Sequence, residues 1–271
     1  MAVDTADSVP AMPKLPANAE PQTLGPAPAK TTFNIIEMAD ENYIEKISDP
    51  VYASSALSNP LDVAVSRKWV DEVVMNMPRA PPAASRTRKL ADMAIKTIPV
   101  TYGQDGKFSV RVYVPALEDG HDRRAGLIMY HGGGWVHSYP EVDEDTAIFF
   151  ASELRAVVIN VDYRLAPENK FPVPMEDCWQ AIQWTIDHTD EYNIDTSRIG
   201  LLGGSAGGNL AAAVALRDAV EHSKSRLCHV SLLVPATCHP DVYPPQISGP
   251  EASTSKFGTE FRDLLRALLG K

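Results

Sequence analysis

The chain has 271 residues, of which 44% are hydrophobic, and its formal net charge is -10. This length and apolar content fit one large domain with a sizeable core. The acidic balance argues against a nucleic-acid partner and against attraction to an anionic membrane surface, because both need clustered Lys and Arg. The three cysteines, Cys178, Cys228 and Cys238, match no zinc or redox motif by their spacing.

No targeting signal is evident in the sequence. The first 20 residues lack the apolar segment of a secretory signal peptide, and no run is apolar and long enough to span a bilayer. An odd number of cysteines without a secretory signal indicates a reducing compartment. We therefore predict a cytoplasmic protein without a transmembrane segment. The sequence carries no signal that sets an oligomeric state.

The N-terminal part precedes any α/β pattern. Residues 1–30 are rich in Pro and Ala, which predicts a disordered tail. A helix is predicted from Asn59 to Met77, and Asn59-Pro60 can start it. The predicted apolar face of this helix consists of Val63, Val65, Trp69, Val70, Val73 and Val74.

From residue 105 onward, strands alternate with helices. Asp105-Gly106 is a turn signal before the alternating strand 107–114, which predicts an antiparallel hairpin. Unbroken apolar strands that alternate with helices predict an α/β fold, with a mostly parallel sheet covered on both faces. The later elements are predicted as strands 126–130, 156–161, 198–202 and 229–234 and as helices 142–155, 175–188, 205–221 and 257–269.

The sharpest motif is Gly203-Gly204-Ser205-Ala206-Gly207-Gly208. It lies between an apolar strand and an Ala-rich helix, which is the context of a nucleophile elbow. Small residues must flank the serine because this turn is tight, and the serine itself is expected in a strained backbone conformation. The helix N-terminus favours negative charge nearby. A phosphate loop is the alternative, but no Gly-Lys-Ser/Thr follows, so Ser205 is the candidate nucleophile.

A second motif, His131-Gly132-Gly133-Gly134-Trp135, directly follows a predicted strand. Its glycines let the backbone approach a substrate closely, and their N–H groups, with that of Ala206, can surround an oxyanion. We expect Gly133, Gly134 and Ala206 to direct their N–H groups into one pocket with the Ser205 hydroxyl. Gly132 is the weaker candidate because it is nearest the strand. His131 is interpreted as a brace for the loop rather than as a base.

A third motif runs from Asp162 to Glu168 and has the sequence Asp-Tyr-Arg-Leu-Ala-Pro-Glu. Its charges are predicted to pair with one another and to fix the loop. The three motifs, in this order, resemble the hormone-sensitive-lipase family of α/β-hydrolases over roughly residues 107–243.

The resemblance implies hydrolysis of a small-molecule carboxylic ester by a Ser-His-Asp triad, without a metal or cofactor. It also implies an N-terminal helical cap, expected within residues 31–98, before a hydrolase domain at 99–271. The segment from Val234 to Asp241 resembles fungal members that serve secondary metabolism, of the versiconal hemiacetal acetate esterase type.

The triad acid and base are the point at which the sequence departs from this family. In this fold, an acid and then a histidine follow the serine, and the family places them after two further strands. Beyond Ser205 we find no such strands, and no histidine after His239. We therefore expect a domain that is incomplete after about residue 243, lacks its last strands and has no Asp–His pair near Ser205.

Three other histidines follow the candidate nucleophile. His222 is predicted at the far end of the elbow helix, and His229 at the edge of the sheet opposite the site. Only His239 follows the carboxyl end of a strand, although in relatives this position is loop or cap. Three hypotheses remain: a serine esterase; a catalytically impaired hydrolase-fold protein that binds a small apolar ester or acid; and a product of a shortened gene, non-functional or folding only with a partner.

Overall fold

The computed structural model describes residues 62–76, 93–116, 123–236 and 256–270. The described elements follow one another as an N-terminal helix, a hairpin and alternating strands and helices. They are α1 (Val63–Trp69, continued by a π-helical turn, Val70–Val74), β1 (Met93–Tyr102), β2 (Gly106–Pro115), β3 (Arg124–Tyr130), α2 (Glu144–Leu154, after a 3-10 turn, Pro140–Asp143), β4 (Val157–Asp162), α3 (Val173–Asp187), β5 (Ile194–Gly204), α4 (Ala206–Glu221), β6 (His229–Leu233) and α5 (Lys256–Leu269).

The six strands form one mixed sheet in the order β1-β2-β4-β3-β5-β6. β1 and β2 form an antiparallel hairpin that pairs Tyr102 with Gly106, as the Asp105-Gly106 turn signal predicted. β2 is also antiparallel to β4, whereas β4, β3, β5 and β6 run parallel. The predicted α/β class, with helices on both faces of a largely parallel sheet, is confirmed. No helix in these described ranges is long and apolar enough to cross a membrane.

Apolar side chains from alternate positions of the central strands form a core on each face of the sheet. Ile128 and Ile159 join the larger core with residues of α3 and α4, whereas Met129 and Val158 join a smaller core with residues of α2. Burying one such aliphatic side chain contributes about 1.5–3 kcal/mol. Burial on both faces is the reason that β3 and β4 are continuous apolar runs in the sequence.

Two strands differ from the sequence prediction at their N-terminal ends. The hairpin prediction implied a partner for β2 but gave it no bounds; this partner, β1, lies at the sheet edge and contains Pro99, and its burial pattern lacks a regular alternation. Because β1 begins at Met93, the expected boundary between residues 98 and 99 falls inside a strand. β5 begins at Ile194, four positions before Arg198, because the polar residues 195–197 extend it into solvent.

The N-terminal helix also differs in its start and in its buried face. Asp62 is its N-cap, and its carboxylate accepts hydrogen bonds from the N–H groups of Ala64 (2.9 Å) and Val65 (3.2 Å). Val65 is 52% exposed and so does not belong to the buried face, whereas Val70 and Val73 are buried as predicted. The predicted tail at 1–30 and the Asn59-Pro60 start lie outside the described residues.

Candidate active site

Ser205 occupies the single residue between β5 and α4, with φ 51° and ψ -115°. A positive φ at a residue with a side chain costs on the order of 1–3 kcal/mol and persists only where the surroundings enforce it. Here, the Ser205 N–H donates to the carbonyl of Leu233 (2.9 Å), and its own carbonyl accepts from the N–H groups of Asn209 (3.0 Å) and Ala236 (3.1 Å). The predicted strained turn is therefore present, and it is held from both α4 and the end of β6.

The glycines around Ser205 are required by close backbone approach. A Cβ atom at Gly203 would overlap the carbonyl oxygen of Gly207, and one at Gly207 would overlap the carbonyl oxygens of Tyr130 and His131. Gly204 differs, since a Cβ atom there would have no neighbour within 4 Å. The elbow thus packs directly onto the carboxyl end of β3, after which residues 131–137 form the glycine loop.

The Ser205 side chain is exposed, whereas Ala206, the first residue of α4, is buried. The Ser205 hydroxyl forms no hydrogen bond with any of the described residues. Similarly, within these residues, the Ala206 N–H donates to no backbone carbonyl. An accessible hydroxyl therefore lies beside a helix N-terminal donor that no described carbonyl occupies, where developing negative charge is stabilised.

The glycine loop lies against this turn. A Cβ atom at Gly132 would be 3.6 Å from the Cβ of Ser205. The carbonyl of Gly132 accepts from His131 Nδ1 (2.7 Å), and the carbonyl of Gly133 accepts from the N–H groups of Val136 and His137 (3.1 Å each).

These carbonyl contacts determine where the neighbouring N–H groups point. In a trans peptide the C=O and the following N–H point in opposite directions. The N–H groups of Gly133 and Gly134 therefore point away from the partners of the Gly132 and Gly133 carbonyls. Neither donates to a backbone carbonyl in the described part of the chain.

His131 braces the loop, as its sequence position predicted. It is buried, its ring stacks on that of Tyr163 at 4.2 Å, and its carbonyl accepts from the Tyr163 hydroxyl (2.8 Å). Burial lowers its pKa to about 4. Because a carbonyl can only accept, Nδ1 carries the proton that His131 shares with Gly132. A neutral, enclosed imidazole with this bond holds the loop in shape and is not available to accept a proton from Ser205.

The charges of the Asp162–Glu168 motif do not pair with one another, so that prediction was wrong. Arg164 binds the carboxylate of Asp177 in α3 (2.7 and 2.9 Å), and Glu168 binds the guanidinium of Arg67 in α1 (2.7 and 2.8 Å). Asp162 accepts from the Ser109 hydroxyl of β2 (3.0 Å). Each charge reaches a different element, because the loop lies between α1, β2 and α3. The motif therefore joins these elements to one another.

No histidine of the described residues bonds to Ser205. His137 contacts the Ser66 hydroxyl (2.7 Å), and His188, His222 and His229 lie near partners on their own segments. His229 begins β6 and so lies at the opposite end of the strand from Leu233, as predicted. His121 and His239 lie outside the described residues.

Sequence reasoning missed two neighbours of the glycine loop. Leu264 of α5 is 7% exposed, and a Cβ atom at Gly134 would lie 2.6 Å from its Cδ2. Arg67 of α1 donates from Nε to the carbonyl of Val136 (2.8 Å). The apolar stripe of Leu264 and Leu268 predicted a helix but not its position, and a single arginine in a short helix gives no signal of a partner far along the chain.

Comparison with known proteins places this geometry in a family. A family profile described as alpha/beta hydrolase fold matches residues 127–262, about half of the chain, including both the glycine loop and the serine turn. The chain belongs to the hormone-sensitive-lipase-like family of α/β-hydrolases.

Two curated relatives and one solved structure illustrate the similarity. An arylesterase of Saccharolobus solfataricus is 36% identical over 152 residues, 55% of this chain and 45% of that protein. An arylacetamide deacetylase of Bos taurus is 41% identical over 143 residues, 50% of this chain and 32% of that protein. A hyperthermophilic esterase from the archaeon Pyrobaculum calidifontis has a TM-score of 0.65 at 28% identity, covering 86% of this chain and 71% of that one. The chain thus spans less than half the length of these two curated relatives.

Proposed function

We propose that this protein is a carboxylic-ester hydrolase whose nucleophile is Ser205. The observation that carries the proposal is the conformation of this residue. Its exposed hydroxyl stands on a strained turn with φ 51°, at the N-terminus of α4 and in contact with the glycine loop. A cost of this kind is kept at functional turns, because the strain presents the side chain to a substrate.

In the proposed mechanism, the Ser205 oxygen attacks the carbonyl carbon of an ester and forms a tetrahedral intermediate. The N–H groups of Gly133, Gly134 and Ala206, which bond to no carbonyl of the described residues, stabilise its oxyanion, while Gly132 brings the loop against Ser205. Collapse of the intermediate breaks the ester C–O bond and releases the alcohol. Water then cleaves the acyl-serine, which gives the acid and regenerates the hydroxyl.

The mechanism needs a group that takes the proton of Ser205. His121 precedes Arg124, where β3 begins, whereas the serine turn follows Gly204, where β5 ends. His239 is three residues beyond Ala236, whose N–H donates to the Ser205 carbonyl (3.1 Å). His239 is therefore the first residue of this chain to test as the base.

The substrate we propose is a small, largely apolar ester. Leu264 forms an apolar wall beside Gly134, which favours an apolar group next to the scissile carbonyl. The resemblance of residues 234–241 to fungal enzymes of secondary metabolism suggests an esterified secondary metabolite as its natural form. A cytoplasmic location, expected from the sequence, stays a prediction.

A second candidate is a hydrolase-fold protein that binds an ester or acid without turning it over. The observation that favours it is the Ser205 hydroxyl, which has no hydrogen-bond partner in the described ranges. A serine without a base is a poor nucleophile, and its loss of turnover is on the order of 10⁴-fold or more.

Hydrolysis of p-nitrophenyl butyrate separates the two candidates. For an esterase, we expect turnover that falls by on the order of 10⁴-fold in Ser205→Ala and by a similar factor in His239→Gln if His239 is the base. His229→Gln, a change of the same type at an exposed residue, is the control and should leave the rate unchanged. Turnover that does not respond to Ser205→Ala, combined with calorimetric binding of phenyl butyrate, would favour the binding protein.

A further inference from the structure

Helix α1 lies outside the residues matched by the family profile, yet it contacts the glycine loop through two consecutive side chains. Ser66 is fully buried, and its hydroxyl is 2.7 Å from Nδ1 of His137. The next residue, Arg67, is partly exposed and reaches the loop from the same side. Both contacts join residues about 70 positions apart in sequence. Together they fix α1 to Val136 and His137 at the end of the glycine loop.

Arg67 uses its whole guanidinium group. Nε donates to the carbonyl of Val136 (2.8 Å) and Nη2 to the carbonyl of Ala166 (3.0 Å). Nη1 and Nη2 also bind the two carboxylate oxygens of Glu168 (2.8 and 2.7 Å). The Ala166 N–H in turn donates to the carbonyl of Trp135 (2.9 Å). A planar fork with fixed donors can hold these three acceptors at once, whereas a lysine ammonium cannot reproduce the geometry.

Two peptide units connect Arg67 with the Gly134 N–H. The first unit joins Val136 to His137: its carbonyl accepts from Arg67, and its N–H, on the opposite side, donates to the carbonyl of Gly133 (3.1 Å). The second unit joins Gly133 to Gly134, so the same Gly133 carbonyl determines the direction of the Gly134 N–H. Fixing the first unit from Arg67 therefore fixes the aim of this donor.

We propose that Arg67 is a positioning residue that directs the Gly134 N–H toward the oxyanion through these two peptide units in series. The inference rests on the proposed function, since the oxyanion is the one formed at Ser205. Arg67 does not touch the substrate itself. Its effect falls on the transition state, because the N–H group it aims is needed most when charge develops on oxygen.

The test compares Arg67→Ala and Arg67→Lys with Lys68→Ala. Lys68 is the next residue of α1; it is 70% exposed and forms only an i,i+4 ion pair with Glu72 (3.6 Å) among the described residues. Arg67→Ala should lower kcat for p-nitrophenyl butyrate about 10- to 100-fold with KM changed less than about twofold, somewhat below the loss of a whole oxyanion donor. Arg67→Lys should not restore kcat, and Lys68→Ala should resemble wild type. Full rescue by lysine would overturn the proposed fork geometry.

Amide hydrogen exchange provides a readout that does not depend on turnover. In Arg67→Ala, the N–H groups of Val136 and His137 should lose protection while those of β3 and β5 keep it, which also shows that the variant is folded. Unchanged protection of the His137 amide would overturn the proposal even if kcat fell. If the wild type has no esterase activity, the proposed function fails, and loss of protection at Val136 and His137 would still support the positioning of the loop by Arg67.

Discussion

At the scale of single residues, backbone hydrogen bonds and close backbone contacts hold the serine turn in place. Ser205 is held by hydrogen bonds from Asn209 and Ala236 and to Leu233, so its strained φ is enforced from α4 and β6 together. Gly207 is among the most tightly packed glycines of the site, because a Cβ atom there would overlap the carbonyl oxygens of Tyr130 and His131 at the end of β3. A side chain at this position can be accommodated only if the turn moves away from the strand.

Two neighbouring glycines give a matched pair for this requirement. Gly207→Ala should destabilise the fold by more than about 2 kcal/mol, because the added methyl group overlaps backbone atoms that cannot rotate away. Gly204→Ala introduces the same group into open space and should change stability by less than about 1 kcal/mol. Urea unfolding of both variants measures the difference, and equal unfolding midpoints would contradict the packing described for the elbow.

At the scale of elements, α5 covers the glycine loop from a distant part of the chain. Leu264 and Leu268 are buried in the larger core, and the carbonyl of Leu268 accepts from the Phe171 N–H (2.9 Å). The Leu264 side chain lies directly over Gly134, whose φ of 59° also favours glycine. The position of this helix thus sets the space beside one of the proposed oxyanion donors.

Shortening Leu264 tests this arrangement. Leu264→Ala should cost about 2–4 kcal/mol of stability and open a cavity next to Gly134. We expect kcat/KM for p-nitrophenyl esters to shift toward longer acyl chains, since the added volume adjoins the proposed acyl site. Leu269→Ala, at a position 43% exposed, is the control and should leave chain-length preference unchanged. An identical preference from acetate to octanoate in Leu264→Ala would place α5 away from the substrate.

Only some of these elements and contacts could be predicted from the sequence. β3 and β4 could be predicted because burial on both faces requires unbroken apolar residues, and Ser205 because few contexts place glycines on both sides of a serine between a strand and a helix. The bounds of β1 could not be predicted, since an edge strand needs no strict alternation. The contacts of Arg67 could not be predicted either, because a hydrogen bond between residues 69 positions apart leaves no periodic pattern in the sequence.

At the scale of the whole molecule, one buried histidine, His131, and one half-buried histidine, His137, make stability depend on pH. Burial lowers the pKa of His131 to about 4, and burial with the nearby charge of Arg67 lowers the pKa of His137 to about 4. In the unfolded chain both would titrate near 6.5, so the unfolded state binds more protons between these values. The stabilisation is complete above about pH 6.5 and is lost as the pH falls toward 4.

Replacing His137 should weaken this dependence. In His137→Gln, the slope of unfolding free energy against pH should fall by up to about 1.4 kcal/mol per pH unit between pH 6 and 4.5, because one fewer group takes up a proton on unfolding. His229→Gln, at an exposed position, should keep the wild-type slope. Burial also raises the pKa of Asp162, which contributes the opposite slope at lower pH in every variant and cancels in the comparison. Urea titrations at several pH values measure these slopes, and identical slopes for His137→Gln and wild type would show that His137 protonates in the folded state.

The two peptide units between Arg67 and the Gly134 N–H couple α1 to the proposed oxyanion site, and this coupling acts in both directions. A coupling free energy between two sites is reciprocal, so an oxyanion held by the Gly134 N–H must secure α1 by as much as α1 strengthens the hold on the oxyanion. Under the proposed mechanism, stronger docking of α1 and stronger binding of the oxyanion therefore favour each other. A helix far from Ser205 in sequence would thus be tightened and released once in each catalytic cycle, in time with the formation and collapse of the tetrahedral intermediate.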